Sequence, residues 1–188
     1  MGVGTGWIEV ITGPMFSGKT TTLLLRVSQA RAVKKSVKVF KPAVDERNGN
    51  SNVQSLSGLS SEASRIKNSS EILSMLDEDT MVVAIDEIQF FDTSVIEVCN
   101  ELANLGKLVI ACGLDMDFLG RPFGPVPQLL SIAEVIVKLH ALCVICGKPA
   151  HFSQRVIDGK PIVSGDDILL LGGQDVYEPR CRLHFLRY

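Results

Sequence analysis

A chain of 188 residues, 46% hydrophobic and 21% charged, is long enough to bury a sizeable core and predicts one domain with a small appendage. A formal charge of −2, with lysines scattered along the chain, offers no basic field to a nucleic-acid backbone, so no nucleic-acid partner is expected. No apolar run approaches the ~20 residues of a membrane helix, Met1 to Gly6 lacks the features of a signal peptide, and five cysteines are an odd number for a disulfide framework; a cytoplasmic protein with no membrane association is expected.

Trp7-Ile8-Glu9-Val10-Ile11 reads as a strand, and the residues after it, Gly13-Pro14-Met15-Phe16-Ser17-Gly18-Lys19-Thr20, fit G-x-x-x-x-G-K-[ST] at every fixed position. Glycines at this spacing let the backbone curl so that its N–H groups point inward at a polyphosphate, and the following helix adds its positive end. Lys19 then reaches the β and γ phosphates, and Thr20 offers its hydroxyl to Mg²⁺. Thr21 to Ala32 runs without Gly or Pro, with Leu23, Leu24, Val27 and Ala30 on one helical face, and Ser36 to Phe40 alternates as a strand. Lys41-Pro42 is expected to stop that strand. The polar stretch up to Ser61 predicts a mobile loop over the site, with Asp45 and Arg47 standing out as a charged pair.

Asn68-Ser69-Ser70-Glu71 has the pattern of a capping box opening a short helix through Leu76. Met81 to Glu87 is an apolar strand ending in two carboxylates, the context in which phosphate-loop enzymes place the acid that holds magnesium. Asp86 is the candidate for that role. Glu87 follows it at the carboxyl edge of the sheet and is placed to take a proton from an acceptor hydroxyl; alternation along a strand would turn the two acids in opposite directions. Ser94-Val95-Ile96-Glu97 opens a helix with apolar positions Val95, Ile96, Cys99, Leu102 and Leu105, closed by Gly106, and Leu108 to Cys112 is the next buried strand. Cys99 and Cys112 read as small buried hydrophobes. Strands joined by helices imply a parallel, right-handed αβα layer.

The loop Gly113 to Gly124 carries Phe118 and Phe123 with no periodic partner, which suits either a stacking site for a planar ligand or local packing of the loop. A helix from about Val126 and a strand Val135 to Leu139 complete the layer. Beyond Leu142 the chain changes character. Cys143-x-x-Cys146 and Cys181-x-x-His184 are two ligand pairs with tetrahedral zinc spacing, and a closed four-ligand site has no open position for catalysis, so it reads as structural. Between the pairs lie a hairpin turning at Asp158-Gly159 and a loop from Ile168 to Tyr177 that zinc would anchor.

With these residues in view, the chain resembles the type II thymidine kinases from Trp7 to His184. The carriers are residues 13–20, Phe40-Lys41-Pro42 with Asp45 and Arg47, Asp86 to Phe91, Gly113-Leu114-Asp115 with Phe118 and Pro122-Phe123-Gly124, the Cys143/Cys146 segment, Gly172-Gly173 with Tyr177, and Cys181-Arg182 with His184. The resemblance implies a phosphate-loop α/β fold with a mainly parallel sheet over residues 1–140 and a small zinc lobe carrying a lasso loop over residues 141–188. It also implies that ATP lies on residues 13–20 and on Asp86, Glu87, Ile88 and Gln89, with Mg²⁺ on Thr20 and Asp86 and with Glu87 as the base acting on the 5′-hydroxyl of deoxythymidine or deoxyuridine. Met15 and Leu114 would wall the thymine pocket, Phe118 would stack on the ring beside Phe123, and Ser153, Ile168, Leu169, Leu170, Leu171, Gly172 and Tyr177 would contact the nucleoside. Arg47 and Arg155 match arginines near the phosphates. A structural Zn²⁺, a homotetramer, feedback inhibition by dTTP and a role in nucleotide salvage for DNA synthesis complete what the resemblance implies. An end at Tyr188 lacks the long tail that carries degradation signals in animal members, so destruction through such a tail is not expected. Two rival readings remain: a phosphate-loop switch or motor subunit that only hydrolyses nucleotide, and a zinc-ribbon nucleic-acid module, which the acidic balance opposes. Loss of a zinc ligand is expected to weaken nucleoside binding more than ATP binding, because the zinc pairs lie apart from the phosphate loop in sequence.

Overall fold

Four near-continuous apolar runs set the architecture, because a strand that is apolar on both sides must be covered on both sides. The computed structural model describes residues 5–45, 52–165 and 176–187. The first elements in chain order are β1 (Trp7–Thr12), α1 (Lys19–Ala32), β2 (Ser36–Pro42), β3 (Asn52–Gln54), β4 (Ser60–Glu62) and β5 (Ser64–Ile66). They are followed by α2 (Glu71–Ser74), β6 (Thr80–Ile85), a 3₁₀ turn (Ile88–Phe90), α3 (Val95–Asn104), β7 (Leu108–Gly113), α4 (Val126–Ile132) and β8 (Val135–Lys138). Six of these strands form one sheet in the order β5-β2-β6-β7-β1-β8, with every pairing parallel.

Alternation along each strand splits the core in two. On one face, Val83 and Ile85 of β6 and Val109 and Ala111 of β7 pack with Val95, Cys99 and Leu102 of α3 and Leu129 of α4. On the other, Val82, Ala84, Ile110 and Cys112 pack with Leu23, Leu24, Val27 and Ala30 of α1. Fully burying one such leucine or isoleucine is worth about 1.5–3 kcal/mol, so these two layers hold the sheet between its helices. Both internal cysteines are ordinary core residues: burial pushes the Cys99 thiol up to about 12, and burial together with the nearby Asp86 charge raises Cys112. Leu105, expected on the apolar face of α3, is exposed because it stands at the helix end, one residue past Asn104.

Several local expectations are revised. β2 does not stop before Lys41-Pro42 but continues through them, pairing Lys41 with Arg65 and Pro42 with Ile66. A proline is tolerated there because pairing with β6 ends at Phe40, so Pro42 is flanked by β5 alone, as at a sheet edge. Part of the polar stretch expected as loop is an antiparallel ribbon, β3 with β4, and Val53 is buried against the α1 layer. Lys41, itself buried, ties this ribbon to β2 by donating to the Asn52 carbonyl at 3.0 Å.

The capping patterns are only half used. Glu71 accepts from the backbone N–H of Asn68 at 2.7 Å, as a capping box requires, but no side-chain cap answers it, and α2 spans four residues. Ser94 likewise does not cap α3; Asp92 accepts from its backbone N–H at 3.0 Å and from the buried Ser69 hydroxyl at 3.0 Å, which stitches the α3 entry to the α2 entry. The Ser94 hydroxyl, helped by the Ser69 N–H and hydroxyl and the Ser94 N–H, holds the Asp92 carboxyl below its ordinary 3.8 against the opposing effect of burial. A depressed folded pKa contributes stability that is present above the unfolded value and lost as pH falls through the folded one. Asp92→Asn is therefore expected to lower the urea midpoint at pH 7, with the gap from the parent closing below about pH 4, read from unfolding curves at both pH values.

After β8 the chain forms a second, antiparallel assembly: β9 (Ala141–Leu142) with β10 (Pro149–Ala150), and β11 (Phe152–Ile157) with β12 (Lys160–Pro161) and β13 (Tyr177–Arg180). The β11–β12 hairpin turns at Asp158 (φ 49°) and Gly159 (φ 73°), two left-handed residues as the Asp-Gly pair predicts.

Candidate active site

In a parallel sheet the carboxyl ends of all strands face one edge, so the loops after β1, β6 and β7 must meet there. A cavity of about 750 Å³ opens along that edge. Its phosphate-loop end is built by Met15, Phe16, Gly18, Lys19 and Thr20, its floor by Asp86 and Glu87, and its far wall by Leu114, Phe118, Phe123, Ser153 and Tyr177. Asp45 also lines it. Arg47 and Ile168, Leu169, Leu170, Leu171 and Gly172 lie outside the described residues.

The phosphate loop begins pressed against the end of β8. Gly13 has φ 145°, and a Cβ there would stand 2.5 Å from the Leu139 carbonyl oxygen, so no other residue fits. Phe16 is left-handed at φ 63°, a conformation that costs a non-glycine residue ~1–2 kcal/mol. Ser17 Oγ and Lys19 Nζ both donate to the Pro14 carbonyl, at 2.8 and 2.9 Å, which folds the loop around the lysine ammonium. Thr20 Oγ1 lies 3.4 Å from Asp86 Oδ2, so a hydroxyl and a carboxylate, both hard oxygen donors suited to magnesium, share one corner.

The two acids are not arranged by strand alternation. β6 ends at Ile85, the Asp86 N–H still bonds the Phe40 carbonyl at 2.9 Å, and Glu87 then turns left-handed at φ 51° into the 3₁₀ turn. Backbone reversal, rather than the pleat, gives them separate directions. Such strained residues persist where surrounding structure over-determines them, and they cluster at functional sites. Ile88 and Gln89, expected beside the nucleotide, are buried beneath the cavity and are not part of its lining.

The aromatic loop is half a packing element and half a wall. Phe118 is buried, with the Arg155 guanidinium 3.8 Å above its ring centroid, and Arg155 also donates to the Tyr177 hydroxyl at 2.9 Å. Arg155 is itself buried and stands behind Phe118 rather than in the cavity lining. Phe123 meets Phe90 edge to face at 5.6 Å. Sequence reasoning gave Met116 and Asp117 no role, carried Phe90 only within the Asp86 to Phe91 motif, and expected residues 52–57 over the site only as part of a loop; all of them line the cavity. The ribbon strands are too short to show an alternation. Asp117 did carry a signal, an acid among glycines and aromatics: its Oδ1 accepts from the N–H groups of Leu119 and Arg121, both at 2.9 Å, and closes the loop on itself.

Cys143, Cys146, Cys181 and His184 offer ligand atoms all within 4.8 Å of one another. A tetrahedral zinc with ligands at about 2.0–2.3 Å has ligand atoms about 3.3–3.8 Å apart. Here Cys146 and Cys181 sulfurs are 3.8 Å apart, and His184 Nδ1 lies 3.6 Å from Cys143 Sγ and 3.4 Å from Cys181 Sγ, so the set fits such an ion. Burial disfavours the Cys143 thiolate, but the backbone N–H groups of Cys181, Ile145 and Cys146 and the His184 side chain outweigh it, bringing this thiol to about 6 and close to its ligating form.

The lobe is not separate from the phosphate loop. Phe16 packs against the buried group Ala141, Cys143, Ala150 and Cys181, and the Met15 N–H donates to Ser153 Oγ at 2.9 Å. The expectation of a mainly nucleoside defect on zinc loss therefore changes: stripping metal with a chelator, or Cys143→Ser, is expected to weaken ATP binding as well as nucleoside binding by several-fold, measured by titration calorimetry beside an elemental count of one zinc per chain. An unchanged ATP affinity in metal-free folded protein would show that the Phe16 contact transmits nothing.

Residues 6–185 match the family model described as Thymidine kinase. Among solved structures, the chain is similar to the Pif1 helicase from Candida albicans, at 20% identity and a TM-score of 0.43, covering 71% of this chain and 36% of that one. That likeness is too slight to add to the topology already described. The family match takes in the phosphate loop, both acids, the aromatic wall and all four metal-ligand positions, and by it the chain belongs to the thymidine kinase family.

Proposed function

We propose that the protein transfers the γ-phosphoryl group of ATP to the 5′-hydroxyl of deoxythymidine, and of deoxyuridine, giving the nucleoside monophosphate and ADP for nucleotide salvage in DNA synthesis. The observation that carries this reading is one cavity with a phosphate loop at one end and an aromatic wall at the other, with Glu87 on its floor. In the proposed reaction the loop N–H groups of residues 13–20 and Lys19 hold the polyphosphate. Thr20 and Asp86 would hold the Mg²⁺ that arrives with ATP and neutralises charge on the phosphoryl oxygens. Glu87 accepts the 5′-hydroxyl proton as that oxygen bonds the γ-phosphorus and the bond to the β-phosphate oxygen breaks. Positioning and charge neutralisation supply most of the rate. Phe118 and Phe123 suit a planar base, with Met15 and Leu114 against its methyl group and Ser153, Tyr177 and the 168–172 segment as further nucleoside contacts. Asp45 and Arg47 belong to the proposed phosphate region; Arg155, packed on Phe118, is better suited to holding the aromatic wall than to touching a phosphate.

Zn²⁺ on Cys143, Cys146, Cys181 and His184 has a structural part in this proposal, with residues 1–140 as the nucleotide-binding unit and 141–188 as the metal-anchored lobe. The homotetramer and dTTP feedback rest on family resemblance, and the cytoplasmic location on the composition read above. The test is a panel of nucleosides with labelled ATP. Label should move to thymidine and deoxyuridine in preference to purine nucleosides, and release of phosphate irrespective of nucleoside would favour the hydrolytic switch instead.

A further inference from the structure

Gln89 is a buried amide tied into the cavity floor without facing the cavity. It sits in the 3₁₀ turn after Glu87 and is 3% exposed. Its amide nitrogen donates to Glu87 Oε2, and its carbonyl oxygen accepts from the Leu114 N–H at 3.0 Å. A carboxamide has one donating and one accepting side, and here each meets a group of the opposite kind: a carboxylate, which only accepts, and a backbone N–H, which only donates. Flipping the amide would set acceptor against acceptor and donor against donor, so the orientation is fixed. Two glycines give it room. A Cβ on Gly113 would stand 2.4 Å from Gln89 Oε1, and one on Gly124 would stand 2.3 Å from the Gln89 backbone oxygen. Glu87 and Leu114, the two groups that Gln89 joins, both line the cavity.

We propose that Gln89 is a positioning residue: it holds one oxygen of the Glu87 carboxylate so that the other is presented to the nucleoside hydroxyl, and it ties the Leu114 wall to that same carboxylate. Base and nucleoside wall thereby keep one spacing. The role differs from the nucleotide contact that the family resemblance implies for this position. It rests on the reading of Glu87 as the base. The left-handed Glu87 backbone makes the tie useful, since a strained residue keeps its direction only while its neighbours hold it.

The test is a double-mutant cycle in the full chain with Glu87→Gln, Gln89→Glu and the pair, plus Gln89→Met as a variant that introduces no new charge. Gln89→Glu keeps the length and the acceptor for Leu114 but cannot donate to Glu87. Both Gln89 variants are expected to lower kcat 10- to 100-fold while KM for ATP and the Kd of a non-hydrolysable ATP analogue stay within about twofold, the split expected when only a transition-state interaction is lost. Gln89→Met alone should also raise KM for thymidine, because it releases Leu114. In the Glu87→Gln background, Gln89→Glu should cost less than about twofold, since there is no base left to position and the amide–carboxylate pair is restored in reverse. Additive losses would overturn the proposal, and so would a tenfold loss of analogue binding with kcat retained, which would make Gln89 a nucleotide contact. An undiminished kcat in Glu87→Gln alone overturns the base reading and this proposal with it, whereas additivity overturns this proposal only.

Discussion

Replacing Lys19 by alanine is expected to abolish phosphoryl transfer while leaving the fold in place. The Lys19 ammonium donates to the Pro14 carbonyl at 2.9 Å, so its removal takes away one hydrogen bond inside the loop, a net loss of about 1 kcal/mol. Gly13 and Phe16 keep the curled backbone through their own geometry, and Ser17 still bonds the Pro14 carbonyl. What disappears is the positive charge over the transferring group. Preorganised donors at developing charge are worth two to three orders of magnitude each, and a cation at a phosphoryl group up to five, so turnover should fall by about 10³-fold or more. A thermal melt beside a labelled-ATP assay separates the two effects. Near-normal turnover would remove the phosphate-loop reading, and with it the proposed function.

Glu87→Gln is expected to keep both substrates bound and to lower the rate by about two to four orders of magnitude, the range for a positioned general base. A carboxamide keeps the shape and loses the basicity. The physical reason for separating Glu87 from Asp86 is the left-handed turn at φ 51°, which sends Glu87 away from the Thr20 corner where Asp86 sits. Asp86→Asn should therefore show itself differently, as a weakened dependence on magnesium and on ATP-linked steps. Steady-state kinetics of both variants across magnesium concentrations distinguish them. If Glu87→Gln lost only thymidine affinity at an unchanged maximal rate, Glu87 would be an anchor and the base would lie elsewhere, with Asp45, buried on the same cavity wall, next in line.

Much of this site could be read in order along the chain because its chemistry is written in short, contiguous patterns. A phosphate loop is eight residues, a ligand pair is four, and an acid at the end of an apolar run is visible beside the run. The capping patterns at Asn68 and Ser94 were equally contiguous and marked both helix starts, but no side-chain cap forms at either. Ser69 and Ser94 hydroxyls found Asp92 instead of their own helix ends, and a hydroxyl goes where the nearest strong acceptor is. Asp92 lies 23 residues from Ser69 in sequence, so no local window contains that contact.

Sequence alone determined the parallel α/β layer, the places of the glycine-rich loop, the two acids and the Cys/His cluster that could hold a metal, and the two-residue hairpin at Asp158-Gly159, because each depends on periodicity or on residue types at fixed short spacing. Tertiary structure alone decided the rest. It placed Phe16 of the phosphate loop on the cysteines of the metal lobe, laid Arg155 on Phe118 instead of in the cavity, tied the 52–62 ribbon over the site through buried Lys41, and set Gln89 between Glu87 and Leu114. All four join segments far apart in the chain or depend on how a backbone turn aims a side chain. Such contacts are fixed by what the folded sheet brings within a few ångströms, and a sequence read in windows carries no measure of that distance.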